Sequence, residues 1–427
     1  MVYLKIICIT LKLTNHFNLI KLKKLEIFND PIYGFINIPT PLVFSLIAEP
    51  SFQRLRRISQ MGMSYLVYPG AHHTRFHHAL GCMHLMQQAV QILRIKDIDI
   101  SEKEEEGLLC AILLHDIGHG PFSHAMEHSI VEGVSHEYIS LQFMESLNEK
   151  FKGKLETAIA IFKGEHPKKF LNQLVSSQLD IDRLDYLKRD SFYTGVAEGN
   201  INSERLITML NVVDNELVVE RKGIYSVEKF LMARRFMYWQ VYLHKTGLVA
   251  EQLLISILKR AKELLARGEK LACSDALMFF MTNKIGKDDF TASNLNRFAS
   301  LDDVDILSAI KQWQNSSDFT LSKLSEMILN RELLQIKIKN KPISLKKLAK
   351  QRAIFMKEYQ LNEQDVNYFV YSGIVQNQTY DSKKQNIKIL NDNGKVTDVV
   401  KASDQLNLKT VSKITTKYYI CYPKLTV

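Results

Sequence analysis

The stretch Leu108–Glu127, LLCAILLHDIGHGPFSHAME, determines how the rest of the chain is interpreted. Its first part, Leu108–Leu114, is an uninterrupted apolar run, which is typical of a buried helix. His115 and Asp116 follow directly, and two glycines and a proline then end the helix. An imidazole beside a carboxylate at the inner end of a buried helix predicts a metal-ligand pair or an acid/base pair, because either group alone would be costly to bury.

The histidines of the chain are concentrated around this stretch, with ten of the 13 lying between His72 and His136. We interpret half of these ten as surface or core histidines: His72, His73, His77, His84 and His128. The others are candidates for a metal or catalytic site, since imidazole serves both roles: His78, His115, His119, His124 and His136.

Composition describes an ordinary globular protein of 427 residues, of which 46% are hydrophobic and 24% charged. This length is sufficient for one large domain with a smaller one appended. The five cysteines are odd in number and form no CxxC pair, which argues against a disulfide framework or a zinc finger and favours a reducing cytoplasm. No segment approaches the ~20 apolar residues of a membrane helix. Lysines interrupt the apolar N-terminus and no small-residue cleavage site follows, so we expect no signal peptide.

The net charge of +10 is concentrated towards the C-terminus, where the residues from Asp381 onward hold nine lysines and four aspartates. A basic balance suits anionic partners such as nucleotides or nucleic acid. A solvated lysine-rich surface explains this tail equally well. Binding of nucleic acid through the tail therefore stays an alternative.

Periodicity predicts a mainly helical chain with two hairpins. The hairpins are expected at Leu25–Ile38, around Asn29-Asp30-Pro31, and at Ile387–Val400, around Asn393-Gly394. Helices are expected from Pro41, from Thr74 through Leu93, from His136 with Ser135 as its cap, across Ile224–Gly268 and over Leu345–Tyr359. Short helices with Ser300 and Thr320 as caps are expected between residues 285 and 332. The predicted domains are an N-terminal extension (1–22), a helical core (23–270) and a helical and mixed α/β region (271–427).

A second dense signal is Leu179–Val196, LDIDRLDYLKRDSFYTGV, where acidic and basic residues alternate around Tyr186. A solvated amphipathic helix is the simplest interpretation. However, three aspartates (Asp182, Asp185 and Asp190) in a chain with a histidine-rich core favour a functional interpretation. The sequence contains no GxxxxGK[ST] loop, so ATP-driven phosphoryl transfer is not supported.

A water-activating metal needs three or four N/O ligands on rigid elements. His78, the His115-Asp116 pair and Asp182 would supply them from three helices. The spacings of 37 and 66 residues mean that these groups meet only through the fold.

The order H…HD…D, together with HDIGHGPFSH, resembles the HD-domain phosphohydrolase superfamily. Six motifs occur in the order seen in its deoxynucleotide triphosphohydrolase branch, which includes bacterial dGTPase-like enzymes and the vertebrate SAM-and-HD-domain enzyme: FNDPIYG, FQRLRRISQMG, YPGAHHTRFHHALG, HDIGHGPFSH, SHEYIS and DIDRLDYLKRD. The resemblance covers residues 25–270 well and the remainder loosely. It implies a mainly α fold, the HD-domain helical bundle, and cleavage of a dNTP into deoxynucleoside and triphosphate.

The resemblance also implies roles for individual residues. One divalent ion would be held by His78, His115, Asp116 and Asp182. This set of ligands does not distinguish between Mn, Fe, Mg, Zn and Ni. His119 and His136 would be the catalytic histidines, titrating near neutrality, and Glu127 would orient them from a position where the branch often has Asp. Phosphate would be contacted by Arg75, His124, Arg183 and Arg234, with Arg183 standing where some relatives have Lys. Tyr186 and Asp190 would meet the sugar, Tyr242 the sugar or base, and Gln60 the base side.

Relatives in this branch assemble as dimers or tetramers, and some are activated by a nucleotide at the subunit interface. By resemblance, Gln53 and Arg56 belong to such an allosteric site. Ala48 and Glu26 stand where the vertebrate relative has an aspartate that reads guanine and a lysine that contacts phosphate, and they suit neither ligand. We therefore expect a homo-oligomer without strict dependence on GTP.

The same sequence features are compatible with two other functions. The chain could be another HD-type phosphodiesterase or nucleotidase, acting on other nucleotides or nucleic-acid ends, with His119 and His136 binding a second metal. It could also be a non-catalytic module that binds nucleotides or single strands.

Overall fold

The computed structural model describes residues 26–123, 126, 131, 133–378, 380, 386–403 and 414–424. The predicted extension 1–22, the candidates His124 and Glu127, and much of the basic tail lie outside these residues. The described part is mainly helical with small sheets, which confirms the predicted fold class. None of its helices combines the length and apolar character needed to span a bilayer.

The helices, in chain order, are α1 (Pro41–Ile47), α2 (Pro50–Gln53), α3 (Arg75–Ile95), α4 (Glu102–Leu114), α5 (His136–Lys150), α6 (Glu156–Lys163), α7 (Lys169–Val175), α8 (Ile181–Thr194), α9 (Ser203–Thr208), α10 (Ile224–Met237), α11 (Lys245–Ala266), α12 (Asp275–Thr282), α13 (Ala292–Phe298), α14 (Asp303–Trp313), α15 (Phe319–Leu329), α16 (Leu345–Glu358), α17 (Val366–Phe369) and α18 (Val399–Ala402). The strands are β1 (Ile27–Asp30), β2 (Gly34–Asn37), β3 (Leu210–Val213), β4 (Glu216–Glu220), β5 (Gln335–Lys339), β6 (Tyr371–Asn377), β7 (Lys388–Leu390), β8 (Val396–Asp398) and β9 (Thr415–Tyr422).

Helix α4 is the buried helix that the apolar run predicts, and it starts six residues before that run. Ser101 caps it by accepting a hydrogen bond from the Glu104 backbone N–H, while the Glu104 carboxylate accepts one from the Ser101 N–H. This reciprocal cap and the acidic first turn favour a helix start here. Every residue of Leu108–Leu114 is buried, in contact with α3 and α6. The helix therefore delivers His115 into the interior.

Both predicted hairpins are confirmed. In β1–β2, Phe28 lies opposite Ile36, and the Asp30 carboxylate accepts hydrogen bonds from the backbone N–H groups of the turn. Strands β7 and β8 pair antiparallel about Gly394, whose φ of +77° requires glycine-like freedom. Strand β7 also pairs in parallel with β4, and β9 lies between β5 and β6.

The predicted helical stretch Ile224–Gly268 is confirmed, with one interruption. A π-helical turn at Tyr238–Tyr242 separates α10 from α11, and such turns occur often at functional sites. The predicted caps Ser300 and Thr320 are wrong. Asp302 caps α14 and Asp318 caps α15, because their carboxylates accept hydrogen bonds from the first-turn N–H groups.

Candidate metal centre and active site

The four predicted metal ligands meet in one cluster. Nε2 of His78 lies 3.1 Å from Oδ1 of Asp182 and 3.8 Å from Oδ2 of Asp116. Nε2 of His115 lies 3.5 Å from an Asp116 oxygen and 3.6 Å from an Asp182 oxygen. Helix α3, the C-terminal end of α4 and the first turn of α8 thus bring two imidazole nitrogens and two carboxylates together around one point.

Hydrogen bonds fix which nitrogen of each histidine faces this point. Nδ1 of His115 lies 2.6 Å from the Ile112 carbonyl, and Nδ1 of His78 lies 2.7 Å from an Asp185 oxygen. Each Nδ1–H has an acceptor, so each imidazole in its neutral form directs the lone pair of Nε2 towards this point. Nε2 of His115 is buried and has no hydrogen-bond partner among the described residues. A divalent cation fits this arrangement, because it would supply the partner that the buried nitrogen lacks.

The two carboxylates are ionised and suited to bind a cation. Burial alone would raise the pKa of Asp182, but the imidazoles of His115 and His78 outweigh burial and hold it below its usual range. The pKa of Asp116 is likewise well below the ordinary value, since His115, Arg75 and a hydrogen bond from His119 outweigh burial. Both therefore carry negative charge at neutral pH.

A buried chain of ion pairs contacts His78 at Nδ1, the nitrogen that faces away from the cluster. Asp185 accepts the His78 bond and two bonds from Arg189, both of 2.9 Å, and Arg189 reaches Asp30 at 2.7 Å. The side chains of Asp185 and Arg189 are completely buried. A solvated α8 face, the alternative to the functional interpretation that the three aspartates favoured, is thus wrong at these positions. The role of these ion pairs is not visible in the sequence, because an Asp–Arg pair spaced four residues apart is equally common on an exposed helix.

The two predicted catalytic histidines lie side by side. The rings of His119 and His136 stack with centroids 3.8 Å apart, and Nε2 of His119 lies 3.3 Å from Oδ1 of Asp116. Burial, and next the charge of Arg75, hold the pKa of His119 well below its usual range. His119 is therefore neutral in this state, which differs from the expectation that it titrates near neutrality.

Three predicted phosphate-binding arginines present buried N–H groups without a hydrogen-bond partner among the described residues. These groups are Nε of Arg75, Nε of Arg183, and Nε and Nη1 of Arg234. Arg75 is also held by Asp116 at 2.5 Å and by the Ser123 hydroxyl at 3.0 Å, and Arg183 pairs with Asp180. Buried cationic N–H groups without a partner are suited to donate hydrogen bonds to an anion.

The predicted sugar-side residues also come together. The rings of Tyr186 and Tyr242 meet edge to face at 6.1 Å. The carboxylate of Asp190 is buried, with one oxygen 2.7 Å from the Tyr242 hydroxyl and the other 2.7 Å from Nε2 of His73. Each oxygen of Asp190 thus accepts one hydrogen bond and keeps a further lone pair, so a contact of Asp190 with the sugar stays a prediction. The backbone N–H of Gln60 donates to the His73 carbonyl, and Oε1 of Gln60 has no partner among the described residues.

The proposed allosteric residues bind each other. Nε of Arg56 donates to Oε1 of Gln53 at 2.8 Å, and Nε2 of Gln53 donates to the Ile47 carbonyl at 2.7 Å. The Arg56 guanidinium lies 3.6 Å above the Phe76 ring. Gln53 thus keeps one N–H of its amide, and Arg56 keeps its Nη groups, so the role of this pair in binding an anion stays a prediction.

The comparisons with known proteins agree with the fold and the cluster. The HD domain family matches residues 75–190 and the HD associated region matches residues 201–279. A phosphohydrolase from Bacteroides thetaiotaomicron is similar in structure, with a TM-score of 0.91, 49% identity, and coverage of 94% of this chain and 100% of its own. The uncharacterized protein YwfO of Bacillus subtilis is 34% identical over 74% of this chain and 72% of its own length. Human deoxynucleoside triphosphate triphosphohydrolase SAMHD1 is 30% identical over a region that covers 59% of this chain and 48% of the human protein.

Fold and site together define a helical bundle whose buried His–Asp cluster is assembled from three helices. The chain belongs to the HD-domain phosphohydrolase superfamily, in the branch that contains the deoxynucleoside triphosphate triphosphohydrolases.

Proposed function

We propose that the protein is a metal-dependent dNTP triphosphohydrolase that releases a deoxynucleoside and inorganic triphosphate. The observation that carries the proposal is a set of three arginines with unpaired N–H groups beside the His–Asp cluster. Arg75 pairs with Asp116, and Arg183 and Arg234 lie near Tyr186, which is also close to Asp182. A triphosphate is the kind of ligand that uses several such donors at once. The relation to SAMHD1 supports the same substrate class.

Different residues of the site would bind the phosphates and the cation. The arginines would bind the phosphate oxygens, and their charge would offset the negative charge that develops during cleavage. A divalent cation held by His78, His115, Asp116 and Asp182 would add a Lewis acid and activate water.

His119 and His136 stack beside Asp116, so they are placed to move protons at the attacked phosphate. His119 is neutral in the free site, and a bound polyanion favours its protonated form. Substrate binding would thus create the acid that protonates the leaving sugar oxygen.

The first prediction concerns the product. Incubation of the metal-loaded protein with each dNTP should yield one triphosphate for every deoxynucleoside, without phosphate or pyrophosphate. ³¹P NMR and ion chromatography identify the phosphate species, and a sample treated with chelator serves as the control. Pyrophosphate together with a deoxynucleoside monophosphate would contradict the proposal, because cleavage would then occur at a different phosphorus.

The second prediction concerns the sugar. Tyr186 is expected to exclude a 2′-OH by steric contact, so ATP should be cleaved at least about tenfold more slowly than dATP, a difference of ~1.4 kcal/mol. Replacing Tyr186 with alanine should bring the two rates closer together. Tyr225→Ala, which changes an exposed tyrosine of α10, is the matched control. Equal wild-type rates for ATP and dATP would show that the sugar assignment is wrong.

One observation favours a second candidate function. Ligand atoms of Asp116, His119 and His136 lie within 4.8 Å of one another, so this trio could hold a second cation. A two-metal site suits a phosphodiesterase or nucleotidase that clamps one phosphate. Metal analysis separates the two functions, since the triphosphohydrolase proposal requires one ion per chain and the alternative requires two.

A further inference from the structure

The turn that follows the metal ligands is held in a strained backbone conformation. Phe122 has φ +46°, in the left-handed region that a bulky side chain rarely adopts. The next residue, Ser123, accepts a hydrogen bond from Arg75, and Arg75 in turn pairs with Asp116. The conformation of residues 117–123 therefore bears directly on a metal ligand and on a phosphate arginine.

A carboxylate from a distant part of the chain holds this conformation. Oδ1 of Asp303 accepts the backbone N–H of Phe122 at 3.0 Å, and Oδ2 accepts the N–H of Ser59 at 2.8 Å. Asp303 is buried at the start of α14 and forms no ion pair with any described residue. Burying a carboxylate is costly unless donors compensate it. Here the compensating donors are the two backbone N–H groups and the side chain of Ser59.

A buried arginine connects the same three segments. Arg54 is completely buried; its Nη2 donates to the Ile117 carbonyl at 2.7 Å and its Nη1 to the Leu301 carbonyl at 3.0 Å. Its guanidinium lies between the rings of Phe143 and Phe298, at 5.8 and 5.2 Å from their centroids. Ile117 directly follows Asp116, so this contact acts one peptide away from a metal ligand.

We propose that Asp303 and Arg54 are positioning residues of the active site. Asp303 keeps Phe122 in the left-handed conformation, and both residues thereby fix Asp116 and Arg75 for metal and phosphate. Residues 301–303 lie outside the two matched family regions, which end at residues 190 and 279. The C-terminal region thus helps to position the active site. Only the activity measurement in the test below rests on the proposed function; the metal-binding measurement does not.

The test is Asp303→Asn, because an amide oxygen can accept one of the two N–H groups but its NH2 cannot accept the other. We expect metal affinity, measured by calorimetric titration, to fall about tenfold, the usual effect of losing a residue that supports a ligand. Hydrogen exchange at residues 117–123 should quicken, and kcat should fall. Asp305→Asn is the matched control: Asp305 lies in the same first turn and bonds only to the Asp302 N–H among the contacts described.

A double-mutant cycle keeps the proposal testable even if Asp303→Asn lowers stability. Glycine adopts a positive φ without strain, so Phe122→Gly removes the need for the restraint. The loss of metal affinity caused by Asp303→Asn should therefore be smaller in the Phe122→Gly background, while Asp305→Asn should show no such coupling. Additive effects of Asp303→Asn and Phe122→Gly, or unchanged metal affinity in folded Asp303→Asn, would overturn the inference. The two proposals can fail separately. If the wild type did not cleave dNTPs but Asp303→Asn still weakened metal binding, the proposed substrate would be refuted and this inference would stand.

Discussion

Replacing His115 with alanine should abolish both metal binding and turnover while the protein stays folded. His115 lies at the end of α4 with Nε2 directed into the cluster, and its Nδ1 is satisfied by the Ile112 carbonyl in its own helix. The alanine variant therefore removes a ligand without leaving a buried charge unpaired. Loss of a ligand removes the cation that activates water, so we expect turnover to fall on the order of a thousandfold or more.

Asp116→Ala should be equally inactive but less stable. Its carboxylate pairs with the buried Arg75 at 2.5 Å, and removing one partner of a buried pair leaves an uncompensated charge. Metal content by mass spectrometry, together with thermal unfolding, separates the two effects. His72→Ala is the matched control, since His72 is an exposed histidine that stacks on Tyr65 outside the cluster. A His115→Ala protein that retained its full metal content would show that the cation binds elsewhere.

The sequence predicted the site through types of residue and their order, and these features are local. The apolar run before His115 predicts α4, and the order of the motifs alone predicts that His78, Asp116 and Asp182 belong to one site. The caps at residues 300 and 320 failed by two positions each, because Asp302 and Asp318 offer equally good acceptors close by. Hydrophobic periodicity does not distinguish between such neighbours.

What the sequence could not show was which charges are buried. Asp185 and Arg189 have the spacing of an exposed ion pair, yet both are fully enclosed by the packing of α8 on α3. The link between Arg54 and the Leu301 carbonyl joins residues 247 apart in the chain, and no local pattern encodes it. The residues that position the ligands were therefore visible only in three dimensions, whereas the ligands themselves were visible as motifs.

The buried chain of ion pairs leads to a prediction about a glycine of α3. Glycine inside a helix is ordinarily less stable than alanine by about 1 kcal/mol, so Gly→Ala changes often stabilise. At Gly81, however, an added Cβ would lie 2.1 Å from Oδ1 of Asp185 and 2.2 Å from Nη2 of Arg189. Neither side chain can move aside without breaking a fully buried ion pair. Gly81→Ala should therefore lower the free energy of unfolding by roughly 3 kcal/mol or more.

The matched control is Gly247→Ala in α11, where an added Cβ meets nothing within 4 Å. This variant should be as stable as the wild type or up to about 1 kcal/mol more stable. Denaturant unfolding of the three proteins gives the comparison. Gly81→Ala should also bind metal more weakly, because Asp185 can no longer hold the His78 ring with Nε2 towards the cluster. If Gly81→Ala and Gly247→Ala proved equally stable, the packing of α3 on α8 would have to be looser than the 2.9 Å bonds of Asp185 with Arg189 imply.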